Sequence, residues 1–206
     1  MHPSTRRLRR SATAVLALCA LATMLAAPAG AATAPDKWGA TFCTETGGWL
    51  KGAQQGANDL QTKASDPSIT PADGKALIVD FLSTGVASTK AYGQALKAAG
   101  APAITNGAKI QASILAGIAG SGAKLAALNT VAKRLPTRPP AAFQKAATKL
   151  GNQLSSFSEP FSKGMDAAGK LDKGNQLGKI LTTLPECAAL ANGSVGSGGT
   201  TSTTGG

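Results

Sequence analysis

Beyond its first 31 residues the chain contains no histidine and only two cysteines, Cys43 and Cys187, because His2 and Cys19 both precede that point. Without an imidazole, residues 32–206 exclude a Ser-His-Asp triad, a Cys-His pair and any histidine-ligated metal or haem site. Carboxylate-pair chemistry remains formally open, but the ten acids are spread singly along the chain. Glu45 and Asp59, and Glu159 and Asp166, read as solvated or capping groups. The stretch GIAGSGAK at Gly117–Lys124 has glycines but neither the preceding strand nor the spacing of a phosphate loop, so helix packing is their expected use. Tyr92, the single tyrosine, is expected to pack and not to ligate iron. No catalytic residue, metal or cofactor is expected, and the chain reads as non-enzymatic.

The two cysteines point instead to a structural bond. The leader, residues 1–31, has a cationic start at Arg6, Arg7, Arg9 and Arg10, an apolar run from Ala12 to Ala27, and the small-x-small ending Ala29-Gly30-Ala31. That is the grammar of a secretory signal peptide. Its apolar run is shorter than the roughly 20 residues a membrane-spanning helix needs. Leu18 before Cys19 argues against lipidation, and Arg9 and Arg10 stand where a twin-arginine signal wants apolar residues. Export by the ordinary route makes Cys43 and Cys187 a disulfide pair by the usual arithmetic of an even count. Closing so long a loop should stabilise by roughly 4–5 kcal/mol in the chain-entropy model.

All-helical periodicity dominates the remainder. A first helix is expected from about Glu45 to Ala64, after a loose lead-in at 32–41. Thr70, Pro71 and Asp73 then spell a helix start. Its inward stripe is Ile78, Leu82, Val86, Thr89, Gly93 and Leu96, and Gly100 with Pro102 ends it. The third helix, about Pro102 to Arg134, carries Ile110, Ile114, Ile118, Leu125 and Leu128, with Leu135 just beyond. Ala108, Ala112, Ala116 and Gly120 lie beside that stripe and would admit a close neighbour, while Gly120–Gly122 is an expected kink. A fourth helix from Pro140 carries Phe143, Ala147, Leu150, Leu154, Phe157 and Phe161, with Pro160 either kinking it or opening a new helix capped by Ser158. A glycine-spaced last helix is expected from about Met165 to Leu184, then a short turn at Pro185-Glu186-Cys187. The expected fold is all-α: an up-and-down bundle of four to five helices over residues 32–192, closed by a Cys43–Cys187 disulfide, with a disordered Gly/Ser/Thr tail at 193–206.

The segments FCTETGGWLKGA from Phe42, ALIVDFLSTGVAST from Ala76, AAGAPAITNGAKI from Ala98 and LPTRPPAAFQKAATKLG from Leu135 resemble a group of small exported helical proteins and lipoproteins of high-GC Gram-positive bacteria. The resemblance covers about residues 42–190 and includes a cysteine at each end of the domain. It implies export and helicity, and it supplies no activity. Many members are lipid-anchored or more acidic, and this chain departs on both counts.

The formal charge of the whole chain is +11, and with the four leader arginines removed it is +7. Between Phe81 and Ser158 there is no acid, while Lys90, Lys97, Lys109, Lys124, Lys133, Arg134, Arg138, Lys145 and Lys149 all lie there. Such a middle is expected to meet an anionic cell-envelope surface, either lipid or wall polymer, through Lys109, Lys124, Lys133, Arg134 and Arg138. Nucleic acid is not expected, because aromatics are not interleaved with the lysines and the chain is read as exported. Two other roles compete with this secreted, envelope-associated one. One is a carrier of an apolar small molecule between the third and fourth helices; the other is a membrane-active factor using Ile104–Leu135. Trp38, Phe42 and Trp49 are expected to cover one end of the bundle beside the disulfide, with membrane insertion or ligand binding as the alternatives.

Overall fold

The computed structural model describes residues 32–191, so the leader 1–31, residue 192 and the tail 193–206 lie outside the described residues. Seven helices follow in order: α1 Pro35–Ala64, α2 Pro71–Ala98, α3 Gly107–Ala132, α4 Pro140–Leu154, α5 Glu159–Leu171, α6 Gln176–Thr183 and α7 Pro185–Ala191.

Helix α1 begins ten residues before the expected Glu45. Pro35 in the first turn needs no donor there, and Asp36 meets the positive helix end. Cys43 therefore lies inside α1 and not ahead of it. The α2 start is as the sequence spells it: Asp73 N–H donates to the Thr70 hydroxyl at 3.2 Å and the Asp73 carboxylate accepts from Thr70 N–H at 3.2 Å. Gly100 (φ 73°) makes the left-handed exit. Helix α3 starts at Gly107, where a Cβ would fall 1.9 Å from the Pro102 carbonyl oxygen. It runs unbroken through the expected kink, because its glycines are contact points. Gly117 and Gly120 face α5, and Gly122 faces Thr89 of α2.

The expected fourth helix is divided. α4 stops at Leu154, and Pro160 sits in the first turn of a separate α5 whose N-cap is Ser158, without a side-chain capping bond. The expected last helix is broken after Leu171, where Gly174 (φ 89°) and Asn175 (φ 54°) turn the chain. The Asp172 carboxylate then accepts from the N–H groups of Gln176, Leu177 and Gly178 at 2.9, 3.0 and 3.2 Å, anchoring the start of α6.

Cross-links fix the directions. Thr33 N–H donates to the Ala101 carbonyl at 2.7 Å and Ala103 N–H to the Thr33 carbonyl at 2.8 Å, so the start of α1 meets the end of α2. Asn106 Nδ2 donates to the Leu171 carbonyl at 3.0 Å, placing the end of α5 beside the start of α3. α1, α2, α3 and the α4–α5 pair therefore make four alternating passes, and an even number brings the chain back to the start of α1. There α6 and α7 lie on α1, with Leu184 and Leu181 over Gly39. The Cys43–Cys187 disulfide closes this all-α bundle with its Cα atoms 5.0 Å apart.

The α3–α5 crossing is the tightest approach. A Cβ on Gly117 would lie 2.9 Å from the Pro160 carbonyl oxygen and 3.1 Å from Gly164 Cα, and one on Gly164 would lie 2.7 Å from the Ser113 carbonyl oxygen. Of the small-residue stripe predicted along Ala108, Ala112, Ala116 and Gly120, only Gly120 joins this contact, against Pro160, and the three alanines are exposed. The reason is geometric: the isoleucine stripe turns inward, and the glycines sit on its flank facing α5.

Candidate functional site

The core has two centres. One gathers Trp38, Phe42, Trp49, Tyr92, Ile110 and Ile114 around the disulfide; the other gathers Leu82, Leu125, Leu128, Leu135 and Leu150 at the opposite end. Phe157 touches both. The aromatic residues near the start of the chain cover the disulfide end, as the sequence implies, and are buried. Trp38 stacks on Phe42 with centroids 5.4 Å apart, and Trp49 stacks on Tyr92 at 5.6 Å. The polar atoms of Trp49 and Tyr92 are paired in a short network, whereas the Trp38 indole N–H is buried without a hydrogen-bond partner among the described residues. Trp49 Nε1 donates to the Thr89 hydroxyl at 3.0 Å, and the Thr46 and Tyr92 hydroxyls share a bond at 2.7 Å. Burial pushes the Tyr92 phenol up to about 12, against the lowering effect of the Thr46 bond. Thr89, the one polar member of the α2 stripe, is therefore the acceptor that lets Trp49 be buried.

Four of the acids take local tasks. Asp66, Asp73 and Asp172 accept hydrogen bonds at turns and helix starts. Glu159, at the first turn of α5, binds Lys163 at 2.8 Å and Lys124 at 2.9 Å. Those two ammonium groups, Lys163 first, hold its carboxyl down at about 2. Among the described residues no three His, Cys, Asp or Glu side chains gather as metal ligands.

The five cations singled out from the sequence do not form one patch. Lys109 is exposed in the first turn of α3, about 36 Å along the helix axis from Lys133. Lys124 is occupied: its Nζ also donates to the Ser156 carbonyl at 3.0 Å, tying α3 to the α4–α5 junction. Lys133, Arg134 and Arg138 remain exposed at the α3–α4 turn, where Lys145 and Lys149 of α4 join them. Arg134 and Lys149 flank a cleft of about 320 Å³ with Val131, Leu135, Pro136 and Leu150 between them. A neighbouring cleft of about 290 Å³ shares Val131 and Gln153 and reaches Lys124. The acid nearest this pole in α2 is Asp73, engaged in the Thr70 capping box; Gly74 beside it packs under Phe143.

A larger cleft among the described residues lies elsewhere than the expected third-to-fourth-helix interface. It is a groove of about 410 Å³ between the second half of α1 and the first half of α2, with an apolar lining that includes Trp49, Leu60, Leu77, Phe81, Leu154 and Phe157. The α3–α5 glycines close α3 against α5, and between α3 and α4 only the two smaller clefts remain, whereas the glycines of α1 help to open this one. A Cβ on Gly56 would lie 3.2 Å from the Phe81 ring of α2, so its helix face points across the groove. Gly52, one turn earlier on that face, has nothing within 4 Å of its Cβ position. Asp59, Lys63 and Asp80 stand on the exposed rim. The legible sign of this groove was the spacing of Gly48, Gly52 and Gly56, one helical turn apart.

Helix α3 is long and apolar enough to cross a membrane by length and composition alone. In the bundle its Ile110, Ile114 and Ile118 are buried, and the face left outside is mostly alanine. No protein-family model matches this chain, and no curated protein and no solved structure is similar to it.

Proposed function

We propose that this is an exported, non-enzymatic helical module that attaches to anionic lipid surfaces through its α3–α4 pole. One observation carries the reading: Lys133, Arg134, Arg138, Lys145 and Lys149 are all exposed on a segment without an acid, and two of them flank a cleft with an apolar floor. Cations around apolar surface suit a lipid headgroup with the start of its chain better than a fully polar wall polymer. Lys109 and Lys124 are left out of the contact, one by distance and the other by its bond to Glu159. The disulfide is compatible with an oxidising compartment. Together with the leader and the resemblance to exported helical proteins, it supports a place outside the cytoplasm.

The test is sedimentation with phosphatidylglycerol-containing vesicles, phosphatidylcholine vesicles and purified cell wall, at low and high salt. Salt-sensitive binding to the anionic vesicles alone is expected. Neutralising two cations in Arg134→Gln/Lys149→Gln should weaken it by about 2 kcal/mol, roughly thirtyfold. Binding to neutral vesicles as strong as to anionic ones, or none at low salt, counts against the proposal.

A further inference from the structure

We infer that the α1–α2 groove is a binding site for a single amphipathic small molecule with an apolar body and a cationic head. This goes beyond surface attachment and rests on different residues. The groove exists because the two core clusters fail to merge on this side of the bundle. Trp49 belongs to one cluster, Leu82 and Leu125 belong to the other, and all three line the space between. Gly52 and Gly56 of α1 and Gly85 of α2 supply no side chain to fill it. Only Ala53, Gly56 and Leu60 are even half-buried in the α1 segment from Leu50 to Ala64. Apolar side chains are thus held around a vacancy of about 410 Å³, within the ordinary range for a small-ligand pocket.

Its size suits one small molecule. The rim decides the head group. Asp59 and Asp80 come from the two helices that form the walls, and neither has an ion-pair partner among the described residues. Lys63 is the third charged rim group; it lies in the last turn of α1, where the helix carbonyls attract a cation. The mouth is therefore net acidic on a protein whose overall charge is positive. A cationic head finds carboxylates there, and an anionic head is repelled.

The probe is displacement of N-phenyl-1-naphthylamine, a neutral fluorescent apolar molecule, by dodecyltrimethylammonium, dodecanol and dodecyl sulfate below their micellar concentrations. The full exported chain should bind the dye saturably at one site and rank the competitors cation, alcohol, anion. Each exposed carboxylate is expected to contribute about two- to fivefold. That order runs against the net charge, so nonspecific attraction would reverse it. Asp59→Asn/Asp80→Asn should abolish the cation's advantage and leave dodecanol unchanged. Gly52→Leu places a side chain where nothing lies within 4 Å. It should remove dye binding while the protein melts no lower, since leucine favours helix over glycine. Arg134→Gln/Lys149→Gln should bind dye like the parent chain, which separates this site from the lipid-facing pole. Absence of saturable binding, binding unaltered by Gly52→Leu, or an anion-first order would each overturn the inference.

Discussion

Two glycines in one helix, Gly164 and Gly169 of α5, should answer oppositely to the same substitution. In each case alanine replaces glycine inside a helix and gains about 1 kcal/mol of helix propensity. At Gly169 the new methyl meets nothing within 4 Å, so that gain should appear undiminished. At Gly164 the methyl would stand 2.7 Å from the Ser113 carbonyl oxygen and 2.9 Å from Gly117 Cα. Both are backbone atoms, which cannot rotate away, so α3 and α5 must separate along their contact. Overpacking of this kind costs about 1–3 kcal/mol. Propensity cancels between the two variants, leaving a difference near 2 kcal/mol, or about 4–8 °C in melting temperature for a chain of this length. Circular dichroism melts of Gly164→Ala and Gly169→Ala, both oxidised, read the difference directly. Equal melting temperatures would refute the close crossing of α3 and α5, and with it the explanation of why α3 tolerates its glycines.

Three further outcomes follow from the same structure. Cys43→Ser/Cys187→Ser should lose about 5 kcal/mol in denaturant unfolding, because the bond spans 144 residues; a variant as stable as the parent would show that the ends need no fastening. Thr89→Val keeps the shape of the side chain but leaves the Trp49 indole N–H without its acceptor, so a loss of about 1–3 kcal/mol is expected in the same assay, and no loss would show that the bond is unimportant. The single tyrosine should ionise late, with its absorbance midpoint near pH 12. Burial raises the phenol above its ordinary 10.0, so the stability that the neutral buried ring contributes is fully present below pH 10 and is lost as pH rises through about 12. A midpoint at 10 in the folded chain would place Tyr92 in water.

Much of the backbone was legible in advance. The α2 boundaries could be read from Thr70, Pro71, Asp73 and Gly100, because capping and left-handed exits are chemistry within a few residues. Burial of Ile110, Ile114 and Ile118 could be read because an apolar stripe has only one way to leave water. The early start of α1 was missed although Pro35 and Asp36 signalled it, since Gly39 and Ala40 dilute the periodicity. The divided last helix was missed because Asp172 acts on N–H groups that only the turn at Gly174 and Asn175 brings to it.

By itself the sequence determined helicity, the inward stripes and the pairing of two cysteines, since each follows from residue type and local spacing. Tertiary structure alone decided that Lys124 is consumed by Glu159, that Lys145 and Lys149 join Lys133, Arg134 and Arg138 at the α3–α4 turn while Lys109 stands apart, and that the cavity opens between α1 and α2. These depend on which helix faces bring their glycines together: Gly117 meets Gly164 and closes one interface, whereas Gly52 meets nothing and leaves the other open. A glycine reads the same in either case, because the partner that gives it meaning is distant in the chain.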